Sequence, residues 1–161
     1  MIVVLMGVTG SGKTTIGKLL TQELGWIFED ADSYHPAANV EKMRCGVPLT
    51  DRDRKPWLQR LARLVDDAQD HGENIILACS ALKREYQKYL SQGRDTVYYV
   101  CLCGPEEVIR KRLESRTGHF MDPALLPSQL AILEPPEDAI KVDVSGTPQE
   151  IASEIRRKLE R

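Results

Sequence analysis

Residues 7–14 read Gly7-Val8-Thr9-Gly10-Ser11-Gly12-Lys13-Thr14, which fits Gly-x-x-x-x-Gly-Lys-(Ser/Thr). The apolar run Ile2-Val3-Val4-Leu5-Met6 precedes it directly. A helical pattern follows, with Ile16, Leu19, Leu20 and Leu24 on one face. Strand, glycine-rich loop and helix in that order form a phosphate-binding loop, or P-loop. The glycines let the backbone curl until successive N–H groups point inward at phosphate oxygens. The helix then aims the positive end of its dipole at the same anion. Lys13 can bridge the outer phosphates, and the Thr14 hydroxyl can ligate Mg²⁺.

A chain of 161 residues is most simply one domain, here spanning 1–161. Its net charge is −2, so no basic excess points to nucleic acid. An anion-binding protein with that balance must concentrate its cations locally. The longest apolar runs are far too short to span a membrane. The chain opens inside a strand, so no signal peptide is expected. Cys45, Cys79, Cys101 and Cys103 form no Cys-x-x-Cys pair, and the last three lie in apolar runs. Small buried thiols in a reducing cytoplasm fit that distribution best.

Apolar, β-rich runs recur at 2–6, 26–29, 75–79, 96–102 and 140–144. Amphipathic helices separate them. Residues 57–68 align Trp57, Leu61, Leu64, Val65 and Ala68, with Pro56 expected in the first turn. Residues 148–160 align Ile151, Ala152, Ile155 and Leu159, opened by a capping box from Thr147 to Glu150. Strands too apolar to have a wet face, alternating with helices, imply a parallel sheet covered on both sides: an α/β fold. Two polar stretches, 30–56 and 117–128, interrupt the alternation. In such folds insertions gather around the carboxyl ends of the strands.

The strand at 26–29 runs into Glu29-Asp30-Ala31-Asp32. One aspartate could hold Mg²⁺ through water while the other accepts a proton from an attacking hydroxyl. Either could instead be a helix cap. His35, Asn39, Lys42, Arg44 and the run Asp51-Arg52-Asp53-Arg54-Lys55 follow. These polar heads suit a small hydroxylated anion. At Cys79-Ser80-Ala81-Leu82-Lys83 the metal-holding aspartate common in P-loop proteins is missing, leaving Ser80 or Asp30 for that role. Lys83, expected in the first turn of a helix, opposes the helix dipole and could be there for an anion.

Helix 105–116 carries a further signal. At about 100° per residue, Val108, Ile109 and Leu113 define an apolar arc of about 140°. Arg112 and Arg116 fall inside it, while Glu107, Lys111 and Glu114 fall opposite. Inward arginines need an anion or an aromatic ring. Thr117-Gly118-His119-Phe120-Met121 then reads as a lid over a ligand, with Gly118 as a hinge.

In order, the matching pieces are the P-loop, Asp30-x-Asp32-x-x-His35-Pro36-x-x-Asn39-x-x-Lys42-Met43, and Gly46-x-Pro48-Leu49-x-Asp51-x-Asp53-Arg54-x-Pro56-Trp57-Leu58. Then come Cys79-Ser80-Ala81-Leu82-Lys83, Arg112-Leu113-x-x-Arg116-x-Gly118-His119-Phe120 and Ser128-Gln129-x-x-x-Leu133-Glu134-Pro135. Together they resemble the small P-loop gluconokinases, cousins of shikimate and nucleoside monophosphate kinases. The chain departs from that pattern at Ala31, where glycine is usual, and at Gln87, where arginine is common.

The resemblance implies a P-loop kinase with a five-stranded parallel sheet in order 2-3-1-4-5, helices on both faces, a substrate-binding insertion at 30–56 and a lid at 117–128. It implies phosphorylation of D-gluconate by ATP, with Mg²⁺, giving 6-phospho-D-gluconate, in a cytoplasmic homodimer that binds neither membrane nor nucleic acid. The nucleotide site would comprise Gly7, Val8, Thr9, Gly10, Ser11, Gly12, Lys13, Thr14, Thr15 and Arg112. The metal would sit at Thr14 and Asp30. Asp32, His35, Lys42, Arg54 and Lys83 would bind the acceptor, and Lys13, Asp32 and Arg116 would drive transfer. A kinase of another small acceptor, such as a shikimate-like acid or a nucleotide, is the alternative; a nucleotide-dependent switch is a more distant one.

Overall fold

The computed structural model describes residues 1–80, 83–115 and 123–161. Its centre is β1 (Ile2–Met6), none of whose five residues is exposed. The other strands are β2 (Ile27–Asp30), β3 (Ile75–Ala78), β4 (Val97–Cys103) and β5 (Ile140–Asp143). They lie in the order β2-β3-β1-β4-β5 with every pairing parallel, as the resemblance implies. Only β1 and β3 meet the expectation of strands buried on both faces; β4 is buried over Val100–Leu102 but leaves Tyr98 exposed. The edge strands β2 and β5 are partly wet, and Ile27 is among the exposed large apolar residues.

Side chains alternate across β1 and split the core in two. Val3 and Leu5 pack with Ile16 and Leu20 of α1 (Lys13–Leu24), Ile109 and Leu113 of the helix Glu106–Glu114, and Ile151 and Ile155 of the helix Pro148–Leu159. Ile2, Val4 and Met6 pack with Trp57, Leu61 and Val65 of the helix Asp51–Asp70 and Leu90 of the helix Arg84–Ser91. In chain order the helices are α1, α2 (Ala37–Arg44), α3 (Asp51–Asp70), α4 (Arg84–Ser91), α5 (Glu106–Glu114), α6 (Leu126–Ile132) and α7 (Pro148–Leu159). The capping box expected at Thr147 and Glu150 opens α7.

Three boundaries differ from expectation. Helix α3 begins at Asp51, six residues before Trp57, because Thr50 and Asp53 form a capping box of their own. Pro56 therefore lies inside the helix, on its exposed side, rather than in the first turn. There it lacks the N–H that would bond the Arg52 carbonyl. Helix α5 is shorter at both ends than 105–116. The stretch 117–128 is not all loop: a 3₁₀ turn at Pro123–Leu125 leads into α6. Among the described residues no helix is long and apolar enough to cross a membrane.

The polar stretch 30–56 is structured too. It holds a 3₁₀ turn (Ala31–Tyr34), α2 and the start of α3. Trp57, 1% exposed, ties this module to the sheet by donating its indole N–H to the Ala31 carbonyl at 2.7 Å. Trp57→Phe keeps an aromatic ring there but leaves that buried carbonyl unpaired. It should lower stability by about 1–3 kcal/mol, read as a fall in the urea midpoint at constant slope.

Candidate active site

The P-loop leaves β1 at its carboxyl end and enters α1. Gly10 has φ +79°, and a Cβ there would lie 3.0 Å from Leu113 Cβ, so both conformation and space demand glycine. Gly12 caps α1 with φ +98°. Helix α1 has no side-chain cap and no acid in its first turn, so its N–H groups and dipole face the loop unshielded. Lys13 Nζ folds over the loop and donates to the carbonyls of Gly7 at 2.8 Å and Val8 at 3.0 Å. That pose holds the ammonium over the bowl of amides. Val8, Thr9 and Ser11 are buried, whereas Thr15 is exposed on the first turn of α1 and does not line the cleft.

The cleft over this loop is lined by Thr9, Gly10, Lys13, Thr14, Asp30, Asp32, Ser80 and Gln129, among others. Both candidate aspartates are thus brought to the phosphates' expected place. Asp30 does two jobs, one per oxygen. Oδ1 accepts the Asp32 N–H at 3.0 Å, capping the 3₁₀ turn, and Oδ2 accepts the Thr14 hydroxyl at 3.3 Å. Thr14 and Asp30 together offer hard oxygen donors of the kind Mg²⁺ takes. Among the described residues no group of three or more His, Cys, Asp or Glu could hold a metal by itself. A P-loop does not need one, because the phosphates supply oxygens as well.

A second pocket opens beside the cleft, lined by His35, Met43, Leu49, Arg54, Trp57, Ser80 and Gln129, among others. His35 stacks on Trp57 with ring centroids 4.4 Å apart. Asn39 Nδ2 donates to the Asp53 carbonyl at 2.8 Å, which fixes the orientation of that amide. The same NH₂ lies 3.3 Å from His35 Nδ1, which therefore accepts. The ring proton is left on Nε2, the nitrogen 4.0 Å from Asp32 Oδ1. Burial and then the Arg54 charge push the His35 pKa down to about 4, so the imidazole is neutral at physiological pH.

Arg54 is well packed in this pocket. Its Nη1 donates to Tyr86 Oη at 3.1 Å and its guanidinium lies 5.4 Å from the centre of the Tyr86 ring. Tyr86 in turn donates to Asp51, and that bond holds the Asp51 carboxyl below its usual range, helped by Lys83. Burial and the same bond raise the Tyr86 hydroxyl.

Lys83 is the residue preceding α4 rather than part of its first turn. Its ammonium binds Asp51 at 2.9 Å, so the cation that seemed misplaced beside a helix N-terminus has an internal partner. Lys42 pairs with Asp53 at 2.9 Å, joining α2 to α3, and lines neither pocket. Asp53 is held at about 2, first by the Thr50 backbone N–H and then by Lys42.

The structure thus gathers Asp32, His35 and Arg54 around the two adjoining pockets and gives Lys42 and Lys83 carboxylate partners outside them. Arg112, half-buried on α5, donates to the Gly146 carbonyl at 3.2 Å in the β5–α7 turn. Arg116 and the Gly118-His119-Phe120 segment lie outside the described residues. Gln129 was given no role by sequence reasoning, yet it is 8% exposed and accepts the Thr9 N–H at 2.6 Å. The available signal was a polar residue one turn after Leu126 on the same face of α6. Asp51 and Tyr86 gave no such signal.

A phosphate loop with two carboxylates, next to a pocket lined by histidine and arginine, on this sheet order, defines a small P-loop kinase. The family model for shikimate kinase matches residues 9–160. A probable gluconokinase of Xenopus tropicalis is 44% identical over 180 residues, spanning 100% of this chain and 94% of that protein. Among solved structures, an unliganded sugar kinase from Janibacter is 44% identical with a TM-score of 0.91, covering 99% of this chain and 94% of that one. A gluconokinase from Sinorhizobium meliloti is 37% identical with a TM-score of 0.81, covering 98% and 94%. The chain belongs to the gluconokinase family, within the shikimate kinase group of P-loop enzymes.

The neutral His35 makes stability depend on pH. An unfolded histidine titrates near 6.5, whereas the native ring resists its proton down to about 4. Between those values the unfolded chain binds the extra proton, so stability falls as pH drops from about 6.5 to about 4 and levels off below. Thermal midpoints across that window should fall less steeply for His35→Gln than for the wild type. Parallel curves would mean that His35 does not report this burial.

Proposed function

We propose that the protein transfers the γ-phosphoryl group of ATP to the terminal hydroxyl of D-gluconate, giving ADP and 6-phospho-D-gluconate. The observation that carries this reading is the meeting of Asp32, in the phosphate cleft, with the His35 and Arg54 pocket beside it. The gluconokinase names of its full-length relatives support the choice of acceptor.

The P-loop amides and Lys13 hold the β- and γ-phosphates. Thr14 and Asp30 would hold Mg²⁺, which would offset phosphate charge. Asp32 orients the terminal hydroxyl and takes its proton. The neutral His35, with its proton on Nε2, donates either to Asp32 or to a sugar hydroxyl. Arg54 meets the sugar-acid carboxylate, supported by Tyr86 and the Asp51–Lys83 pair. Arg112 serves the nucleotide side, and Arg116 neutralises charge on the group in transfer when the lid at 117–128 closes. Residues 30–56 form the acceptor module of a single kinase domain. Most of the acceleration comes from positioning and electrostatics, because phosphoryl transfer needs little covalent help. Four cysteines that form no disulfide with one another fit a reducing cytoplasm. The homodimer rests on resemblance to the family, and light scattering in solution tests it.

ADP release measured with and without D-gluconate, alongside shikimate and a nucleotide as competing acceptors, tests the reading. Strong stimulation by gluconate alone is expected, and none would overturn it. Lys13→Ala should abolish turnover. Asp32→Asn should lower kcat by about 10²–10⁴ with little change in the KM for ATP; a normal kcat would remove Asp32 from the proton-acceptor role. Arg116→Ala should lower kcat far more than it changes the KM for gluconate, and an effect on KM alone would make Arg116 a binding residue only.

A further inference from the structure

Gln129 is a buried amide on α6, three residues after the buried Leu126, and only 8% of it is exposed. Burying an amide without bonds costs about 1–3 kcal/mol, so each end needs a reason. One end has its reason in the structure: Oε1 accepts the Thr9 N–H at 2.6 Å. Thr9 is the third residue of the P-loop, so a side chain from α6, 120 residues away, engages the phosphate loop directly. That contact also leaves the chemistry of the other end determined. With Oε1 on an N–H, the group that Gln129 can offer a ligand is its NH₂, a neutral double donor.

Position decides what that donor meets. Gln129 lines the phosphate cleft with Lys13 and Asp32, and it lines the second pocket with His35 and Arg54. Among the described residues, the only other one shared by these two linings is Ser80. Gln129 thus stands at their junction, the place a phosphoryl group must cross on its way from nucleotide to acceptor. Three equatorial oxygens carry the charge of that group, and donors aimed at them lower the barrier. An amide suits the place better than a carboxylate would, because Asp30 and Asp32 already bring negative charge to the cleft.

We propose that Gln129 is a catalytic residue that binds the phosphoryl group in transfer, its carbonyl seated on Thr9 and its NH₂ donating to a γ-phosphoryl oxygen. The assignment rests on reading the two pockets as donor and acceptor sites. It predicts that Gln129 distinguishes ATP from ADP, because only ATP puts a phosphoryl group at the junction.

Two variants separate this role from a structural one. Gln129→Met preserves length and removes both ends of the amide. Gln129→Glu retains an oxygen for Thr9 and loses the NH₂. Both should weaken binding of a non-hydrolysable ATP analogue at least about fivefold while the Kd for ADP stays within about twofold. Both should lower kcat at saturating ATP and gluconate by about tenfold or more. The thermal midpoint of Gln129→Glu should stay near that of the wild type, so this variant keeps the test open if Gln129→Met folds poorly. Equal losses for the ATP analogue and ADP, or an unchanged ratio in both variants, would overturn the assignment. The binding ratio needs no acceptor. A wild type that ignores gluconate therefore overturns the proposed acceptor, while the ratio still decides the role of Gln129.

Discussion

Burial of β1 on both faces is the constraint from which the site follows. A strand with no exposed residue can sit only at the middle of a covered parallel sheet, with β3 on one side and β4 on the other. Its carboxyl end then opens where the chain's connections depart in opposite directions, and the P-loop is held in that crevice. The loop's backbone cannot relax away from its bowl, because Gly10 is pressed against Leu113 and Ile109 of α5. The bare start of α1 leaves its donors without a side-chain cap. The fold holds these groups ready for an anion before one arrives, which avoids reorganisation when phosphate binds.

The acceptor side is organised by a chain of contacts that begins far from any ligand. Lys42 holds Asp53, the Asp53 carbonyl orients Asn39, and Asn39 sets the tautomer of His35. Trp57 completes the arrangement by stacking on the same ring and bonding Ala31, the residue between the two aspartates. These contacts determine that the imidazole nitrogen facing Asp32 is the one that carries the proton.

What was legible in the sequence was chemistry written in contiguous residues. The P-loop, the Asp30 and Asp32 pair, and the Thr147 capping box each place donor and acceptor within a few positions, so spacing alone exposes them. Strand order came through resemblance to a family, since periodicity says nothing about which strands are neighbours. The start of α3 was obscured by two competing signals: a proline that suits a first turn, and the Thr50 and Asp53 box six residues upstream. Gln129 and Thr9 meet across 120 residues, and Tyr86 and Asp51 across 35. Only the folded sheet creates such pairs. Lys83 drew notice for an unfavourable helix position, and its carboxylate partner Asp51 lies 32 residues away, beyond the reach of spacing.

The Asp51 cluster sets the electrical balance of the acceptor side. Arg54 and Lys83 contribute two positive charges, Asp51 removes one, and the neutral His35 adds none. Lys42 and Asp53 cancel each other. Asp32, 4.0 Å from His35, brings a further negative charge to the same junction, so the acceptor side holds charges that nearly cancel, with Arg54 as its cation inside the pocket.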